Sequence, residues 1–554
     1  MTSAGEGLRH VVTRVFVRLR GSKDSRWLDA PAGDCDDAAM RLASRPWSVS
    51  IARLALAIFV LLPVVALLAV RGFAGMYGQD SFGYIDYALG PLREALLRPD
   101  FPPAWLQPPG YPLVVAGWSL LVGPDGRIGL VVSLVAGCLV PVFTALLATE
   151  TVGPRLTGRT ALLLPLLAGL IAALPGQLWQ SSAVAMPDTL SIALATAAAW
   201  AACRYVRSGT PGWLLGAAGA MAAAIDTRWI YGLVAVPVAF VAIVGLGRIW
   251  RADHGRAVLH ALGATLVCAA VLVPVAGPMA LAVLHGTSLP FAADFGAYHW
   301  DPANALRNTF ETPDGRLTYG PTSGAFYLLQ AGAPYWFGPM GIFALWGGAW
   351  AVRRAGPGAA VLLVGWPLIV LVFLAGSPYQ NTRFFLSVMP PVAILIAAGL
   401  WRLAVAVDAR LPPERRRLVI GGSALAVAAW VVVGAVVAGR FTDAFIDRQS
   451  RDLAAIRGLE ARIPVGARVI SMGPTGVFVY DGLADVVELY DLTPDGAIAL
   501  LADGRPSYLV VDPDAIGGQW AGRRPALTVE AIRSRFGVSP VAAEGIWNLA
   551  RIGP

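Results

Sequence analysis

Two polar segments follow the first apolar stretch of the chain, and they decide the fold: residues 78–87 read GQDSFGYIDY and residues 107–112 read QPPGYP. Both segments combine aromatic residues with glycine or proline, and the first carries the carboxylates Asp80 and Asp86. Carboxylates are costly near hydrocarbon, so their presence beside an apolar stretch indicates a function. This loop is therefore the first candidate for a functional site.

The apolar stretches on either side of this loop predict a polytopic α-helical membrane protein. The chain of 554 residues is 56% hydrophobic and 14% charged, whereas soluble domains contain about 25% charged residues. The apolar residues form uncharged blocks of roughly 18–25 residues, the length of a helix that crosses a bilayer. The formal net charge of +8 comes largely from arginines in short loops, and it indicates orientation in the membrane, not binding of nucleic acid.

The arginine pattern predicts about eleven transmembrane helices, with the N-terminus cytoplasmic and the C-terminus extracytoplasmic. These helices are predicted at residues 51–70, 128–148, 161–174, 190–205, 213–225, 230–246, 257–284, 335–351, 359–375, 384–400 and 418–438. The apolar segment 111–122 is too short to cross, so it is predicted to lie in the membrane interface or to dip into it. If it crossed, Arg155 and Arg159 would face outward, against the positive-inside rule.

The chain is predicted to have three parts. Residues 1–50 are polar and predict a mostly disordered cytoplasmic tail. Residues 51–439 form the membrane module with an outer loop at 71–127, and residues 440–554 form a small extracytoplasmic α/β domain. In that domain the sequence predicts a helix at 447–463 and strands at 467–472, 486–489 and 508–511. The segment 473–476 (GPTG) predicts a tight turn, because it lacks the glycine spacing of a nucleotide-binding loop.

This topology places polar residues from five loops on the outer face of the membrane. They are Asp80, Tyr84, Asp86, Asp188, Arg228, His299, Asp301, Tyr319 and Arg383. Arginine binds phosphate oxygens through paired hydrogen bonds. A nearby carboxylate can take the proton of a hydroxyl group as that hydroxyl attacks a sugar carbon. The combination suits a substrate that is both anionic and lipidic.

The order of these motifs resembles that of GT-C glycosyltransferases of the protein O-mannosyltransferase and aminoarabinose-transferase type. The first outer loop of that family has the form Asp-acid-x-x-Tyr and is followed by Pro-Pro-x-Tyr-Pro, as at residues 80–84 and 108–112. Later motifs of the family match Asp188 before a span, Thr227-Arg228 after a span of small residues, and Arg383 before a proline-containing span. The similarity covers roughly residues 51–402.

The resemblance implies an inverting transfer of a hexose or pentose from a polyprenyl-phosphate donor to a hydroxyl of a glycan, lipid or protein acceptor. The reaction would take place at the outer face of a bacterial inner (plasma) membrane, among membrane lipids and without nucleic acid. Asp80 is the implied catalytic base, and Arg383 and Arg228 are the implied phosphate ligands. The remaining substrate-binding candidates are Asp188, Tyr84, Asp86 and Tyr111.

Ser81 is a departure from the family, many members of which have a second acid at this position. No cofactor is therefore assigned, although a divalent metal stays open. His299 and Asp301 are too few to make a metal site, and no two of the four cysteines have the spacing of metal ligands.

Each candidate also has a structural alternative. Asp80 is suited to cap a helix, Asp86 to a solvated helix face, and Asp188 to an ordinary helix start. Arg228 is suited to a purely structural pairing with the neighbouring Asp226, and Arg383 to snorkelling at the interface. Tyrosines such as Tyr84 and Tyr111 are typical of the interfacial aromatic belt. Two other functions stay open: a transporter or flippase of an anionic lipid-linked glycan, and a non-catalytic membrane assembly protein of the same fold.

Overall fold

The chain is mostly helical across the residues that the computed structural model describes, which are 46–98, 105, 107–156, 160–284 and 300–553. From Ser50 onward the chain forms one compact unit. The α-helices of the first half are α1 (Pro46–Arg71), α2 (Gly78–Tyr87), α3 (Arg93–Leu97), α4 (Gly110–Val122), α5 (Arg127–Thr151), α6 (Thr160–Ala173), α7 (Gly176–Ser182), α8 (Asp188–Ser208), α9 (Pro211–Thr227), α10 (Tyr231–Ala252) and α11 (His254–Leu284). Most of the predicted cytoplasmic tail lies outside the described residues.

The second half of the chain combines helices with two β-structures. Its elements are β1 (Thr309–Thr312), β2 (Gly315–Thr318), α12 (Ser323–Leu329), α13 (Phe343–Arg354), α14 (Pro357–Ala360), α15 (Trp366–Gly376), α16 (Met389–Asp408), α17 (Pro413–Glu460), β3 (Arg468–Ser471), α18 (Thr475–Tyr480), β4 (Val486–Glu488), α19 (Pro494–Leu501), β5 (Ser507–Val511), α20 (Pro513–Gly517), α21 (Arg524–Arg535), β6 (Gly537–Glu544) and β7 (Trp547–Gly553). A 3-10 helix, Thr382–Val388, leads into α16.

The predicted polytopic membrane fold is confirmed, although fewer helices than predicted have the length of a full span. Among the described residues, eight helices are long and apolar enough to cross a membrane, or nine if α6 and α7 form one bent span. Two further predicted spans fall on the shorter helices α9, of 17 residues, and α13, of 12 residues. Helix α4 has 13 residues and ends at Gly123, whose φ of 89° stops the helix.

The helices approach one another most closely where glycine removes a side chain. Helices α13 and α16 cross at Gly347 and Gly399. A Cβ atom added at Gly347 would lie 1.9 Å from the carbonyl oxygen of Leu395, and one at Gly399 would lie 2.2 Å from that of Phe343. Small residues at such crossings let helix backbones pack directly in a membrane protein. This contact holds α16, the most buried candidate span.

We expect Gly347→Ala to lower the free energy of unfolding by about 1–3 kcal/mol, because the added methyl group overpacks the crossing with α16. Gly348→Ala is the matched control on the same helix, since its Cβ would have no neighbour closer than 4.0 Å. Thermal unfolding of both purified variants in detergent checks the difference. Equal melting temperatures for the two variants would contradict this packing.

The C-terminal region differs from the prediction at its boundary. The predicted helix 447–463 is not separate, because α17 runs unbroken for 48 residues through position 440. This helix shows no break at residue 440, so the predicted division into domains at that residue stays a prediction. The three predicted strands correspond to β3, β4 and β5, whereas β6 and β7 and the hairpin β1–β2 were not predicted.

The C-terminal sheet, formed by strands β3 to β7, has the strand order β4-β3-β5-β7-β6. Strand β3 pairs in parallel with β4 and β5, while β7 pairs antiparallel with β5 and β6. The turn after β3 is tight, as predicted: Gly473 has a φ of 99°, and its Cα faces the ring of Trp547.

The C-terminal sheet region, residues 468–553, packs on the loop after α1. The ring of Tyr480 on α18 meets Phe82 on α2 edge to face, with ring centres 5.3 Å apart. Gly476 lies against the backbone of Gln79, whose side chain donates a hydrogen bond to Glu488 at 3.3 Å. These contacts fix the position of α2, which carries Asp80.

The hairpin β1–β2 packs on the same C-terminal sheet region. The Gln519 side chain donates a hydrogen bond to the carbonyl of Asp314, and the Arg316 amide donates to the carbonyl of Gln519 at 2.9 Å. Arg523 pairs with Glu311. Three segments far apart in the sequence therefore meet around one space.

Candidate functional site

A cavity of about 1040 Å³ lies where the helices, the β1–β2 hairpin and the C-terminal sheet region meet. Four of the predicted charged residues line it: Asp80, Asp188, Arg228 and Arg383. They come from α2, the first residue of α8, the residue after α9 and the 3-10 helix before α16. The structure thus brings together residues up to 303 positions apart, and their chemical roles stay predictions.

Two of these residues, Arg228 and Arg383, share one aromatic ring. Their guanidinium carbons lie 5.9 Å and 5.7 Å from the centre of the Phe384 ring. An arginine at such a distance from a ring is attracted by the electrons of its face. Both side chains are about one-fifth exposed, so their positive charges are partly desolvated and held in place. Such a pair suits the binding of a phosphate group.

Arg383 is held by neighbours on three sides. Its Nη1 donates to the hydroxyl of Tyr77 at 3.0 Å, and its Nη2 lies 3.4 Å from a carboxylate oxygen of Asp80. Its backbone amide donates to the side chain of Asn381. Burial raises the pKa of Tyr77, so that the hydroxyl stays protonated. The Nε atom of Arg383 is buried and has no hydrogen-bond partner among the described residues.

Asp80 is the third residue of α2, which begins at Gly78. It is therefore not the N-cap, which is Tyr77, and its alternative role as a cap is not observed. Its side chain is 51% exposed, and its carboxylate lies 3.4 Å from Nη2 of Arg383. A carboxylate with this exposure can accept a proton from a hydroxyl group bound in the cavity.

Asp188 begins α8 and is nearly buried, with 5% of its side chain exposed. It forms an ion pair with Arg228, which follows α9. A buried carboxylate requires such a partner, because an unpaired charge in this position is strongly destabilising. The pair thereby positions Arg228 beside Phe384.

We expect Asp188→Asn to lower the free energy of unfolding by about 3–5 kcal/mol, because it leaves Arg228 without its counter-charge. The double variant Asp188→Asn, Arg228→Gln is expected to recover most of this loss, because it removes both charges. Thermal unfolding of the two variants and of the wild type measures the difference. A double variant that is less stable than Asp188→Asn would contradict the pairing.

The three remaining candidates differ in position. Tyr84 lines the cavity, and its hydroxyl donates to the side chain of Gln107 at 3.3 Å. Burial raises the pKa of Tyr84, so this hydroxyl stays protonated. Tyr111 does not line the cavity: it is fully buried, and its hydroxyl contacts the carbonyl of Gly129 at 2.8 Å. Asp86 is exposed and also lies outside the cavity lining.

Tyr111 nevertheless packs against Tyr84, a residue of the cavity lining. Its ring meets that of Tyr84 edge to face at 5.7 Å. In the fourth loop, Tyr319 lines the cavity, whereas Asp301 accepts a hydrogen bond from the amide of Ala303 and caps a short 3-10 helix. His299 lies outside the described residues.

Several lining residues were not found from the sequence. They are Gln79, Trp300, Asp314, Tyr379, Glu488, Tyr490, Asp491, Asp512 and Trp520, among others. One signal was available for some of them: Glu488 lies near the end of the predicted strand 486–489, and Asp512 directly follows the predicted strand 508–511. Ligands of open α/β sheets bind at the carboxyl ends of parallel strands.

Comparison with protein-family models and with curated protein sequences finds no match. Comparison with solved structures shows that the chain is similar to ArnT from Cupriavidus metallidurans bound to undecaprenyl phosphate. The two are 17% identical, and the match covers 89% of this chain and 97% of that chain, with a TM-score of 0.58.

The chain is also similar to the archaeal oligosaccharyltransferase AglB from Archaeoglobus fulgidus, in complex with an inhibitory peptide and a dolichol-phosphate. That match has 13% identity and covers 89% of this chain and 74% of that chain, with a TM-score of 0.53. ArnT and AglB are GT-C glycosyltransferases. The fold of this protein is therefore the GT-C fold, as the motif order predicted.

A further structure of the A. fulgidus enzyme, in complex with Zn and sulfate, has a TM-score of 0.52 and 11% identity, over 89% of this chain and 72% of that chain. No group of three His, Cys, Asp or Glu side chains with ligand geometry occurs among the described residues. Asp80 and Asp188 each face an arginine, and Ser81, at the position of the second acid, is fully buried.

Proposed function

We propose that this protein is an inverting glycosyltransferase that moves a hexose or pentose from a polyprenyl-phosphate donor to a hydroxyl of a glycan, lipid or protein acceptor. The observation that carries the proposal is the cavity in which Asp80 faces Arg383 beside the shared ring of Phe384. Asp80 and two arginines beside apolar helices suit a substrate with a lipid tail, a phosphate and a sugar.

The arginines support binding of the donor phosphate. Arg228 and Arg383 lie on the same ring, so both can reach one phosphate group. A buried N–H without an acceptor costs about 1–3 kcal/mol, and a phosphate oxygen beside Arg383 would satisfy its Nε. Similar structures hold undecaprenyl phosphate and a dolichol-phosphate, which supports a polyprenyl phosphate as the carrier in this protein.

The proposed reaction is a single displacement. The acceptor oxygen attacks the anomeric carbon and forms the new glycosidic bond, while the bond from that carbon to the phosphate oxygen breaks. Asp80 takes the proton of the acceptor hydroxyl, and polyprenyl phosphate leaves with the electron pair. Arg383 and Arg228 stabilise the negative charge that develops on the leaving phosphate.

The proposed location is the outer face of a bacterial inner membrane. Arginines are concentrated at the ends of helices away from the cavity, as with Arg204 and Arg207 on α8 and Arg353 and Arg354 on α13. Under the positive-inside rule these ends are cytoplasmic. Residues 440–554 then lie on the extracytoplasmic side of the membrane, as do the outer loops that carry the cavity residues.

Incubation of the purified protein with polyprenyl-phosphate sugars tests the proposal. We expect release of polyprenyl phosphate together with transfer of the sugar to an added acceptor. Mass spectrometry of the lipid and of the product detects both. Polyprenyl-phosphate binding without release from any hexose or pentose donor would count against the proposed reaction.

A further inference from the structure

Part of the cavity wall, here called the sheet wall, is built from the C-terminal sheet, whereas Arg228 and Arg383, here called the arginine wall, come from the membrane module. Three parallel strands, β4, β3 and β5, end at the sheet wall. Residues at or just after their carboxyl ends line the cavity: Gly473 after β3, Glu488 and Tyr490 at β4, and Asp512 after β5. In open α/β sheets ligands bind at this edge, beside the topological switch point. At that point, successive connections between strands run to opposite sides of the first strand. Here that strand is β3.

The charge of this wall is the opposite of that of the arginine wall. Among the residues that the structure describes, six carboxylates and two arginines line the cavity. Asp80 and Asp188 pair with those arginines. Of the four others, Glu488, Asp491 and Asp512 belong to the sheet wall, and Asp314 belongs to the β1–β2 turn that packs on it. None of the four forms an ion pair within the described part of the chain.

The hydrogen bonds of these carboxylates come from neutral groups. Tyr379 donates to Asp314 at 2.8 Å. Gln79 and the amide of Tyr490 donate to Glu488, and the amide of Ala515 is one of two that donate to Asp512. Burial raises the pKa of Glu488.

Aromatic rings accompany these carboxylates. Trp300 lines the cavity with about half of its side chain exposed, and Tyr379 and Tyr490 are partly exposed. The Tyr490 ring is held by Trp520 at 5.7 Å and by the guanidinium of Arg524 at 5.5 Å. Rings offer apolar faces to the C–H faces of sugars, while carboxylates accept hydrogen bonds from hydroxyl groups.

We propose that this wall, at the carboxyl edge of strands β4, β3 and β5, is the acceptor subsite and that it selects a neutral, polyhydroxylated glycan over a phosphorylated one. The inference rests on the proposed function, because it assumes that the arginine wall takes the donor phosphate. A neutral sugar is not repelled by the carboxylates, and its hydroxyl groups donate hydrogen bonds to them. A phosphorylated acceptor would meet like charges in a partly desolvated space.

Binding measurements on the purified protein test this selectivity. The probes are two neutral trisaccharides, mannotriose and arabinotriose, their monophosphate esters, and a serine-containing hexapeptide without sugar. Tryptophan fluorescence reports binding, since Trp300, Trp520 and Trp547 line the cavity. We expect at least one neutral trisaccharide to bind about tenfold more tightly than its phosphate ester. Equal or tighter binding of both esters, or of the peptide, would overturn the proposal, as would no binding of either neutral probe.

Two variants test whether residues of this wall cause the selectivity. Asp491→Asn combined with Asp512→Asn removes two charges, and asparagine keeps the helix cap that Asp512 provides. In this variant the ratio of the dissociation constants of the phosphate ester and the neutral trisaccharide is expected to fall by about tenfold. Tyr490→Leu is expected to weaken binding of the neutral probe by about tenfold while keeping an apolar contact with Trp520. Unchanged affinities in both variants would overturn the assignment of the subsite.

Asp514→Asn is the matched control, because Asp514 lies on the same helix as Ala515 but does not line the cavity. It is expected to leave all affinities unchanged. Binding of polyprenyl phosphate, measured on the same samples, separates the two proposals. A wild-type protein that does not bind polyprenyl phosphate would count against the proposed function. A wild-type protein that binds polyprenyl phosphate but shows no preference for the neutral trisaccharides would count against the acceptor subsite alone.

Discussion

Asp80→Asn is expected to reduce the rate of sugar transfer by about 10²–10⁴-fold, the usual contribution of a general base. Asparagine keeps the size of the side chain and still places an oxygen near Arg383, but it cannot take the proton of an acceptor hydroxyl. Binding of polyprenyl phosphate and the melting temperature are expected to change little. The measurement is the initial rate of product formation at saturating donor, beside donor binding.

Asp86→Asn is the matched control for this variant. Asp86 lies on the same short helix and carries the same charge, but it is exposed and does not line the cavity. Its transfer rate is expected to stay within a factor of about two of the wild type. Undiminished transfer in Asp80→Asn would refute the proposed base. Retained lipid transport in a protein that never transfers sugar would favour the flippase, and a lack of both activities in the wild type would favour the assembly protein.

Arg383→Gln is expected to lower the rate of transfer by about 10²–10³-fold, as removal of a single charge-stabilising donor does in other enzymes. Arg383 contacts both Asp80 and Phe384, so its charge lies between the base and the second arginine. The variant is expected to weaken binding of polyprenyl phosphate as well. Arg383→Lys is expected to recover binding in part, because it restores the charge but not the paired donors.

Arg402→Gln serves as the control for Arg383 because it changes the same residue type on the helix that follows Arg383. Its guanidinium lies near the ring of Trp401 and not in the cavity. Steady-state transfer rates and binding of polyprenyl phosphate, measured on both variants, give the comparison. Equal losses at the two positions would show that a general charge effect, and not the position of Arg383, is responsible.

The sequence was sufficient to predict which membrane segments contribute to the cavity. Asp80, Asp188, Arg228 and Arg383 each stand next to an apolar stretch, and alternation of spans places such positions at one end of a bundle. The direction of a side chain was not predictable in the same way. Tyr111 belongs to a recognisable motif, but its hydroxyl points into the bundle because Gly129 offers a buried carbonyl oxygen there.

Contacts between distant segments also lay beyond the sequence. The hairpin β1–β2 is short, and its packing on Gln519 joins positions 205 residues apart. Likewise, Glu488 belongs to the cavity only because Gln79, 409 positions away, packs against it. Such pairings depend on the arrangement of the whole chain, which no local pattern records.

The unbroken helix α17 has a mechanical consequence. With 48 residues it is about 72 Å long, more than twice the thickness of a hydrocarbon core. Its later part carries the C-terminal sheet, and Trp547 of β7 donates to Asp452 on this helix at 2.7 Å. The helix is continuous between these two parts. A tilt of its first half would therefore move the sheet that packs on its second half. A bilayer whose thickness tilts this helix would thereby also change the opening between the arginine wall and the sheet.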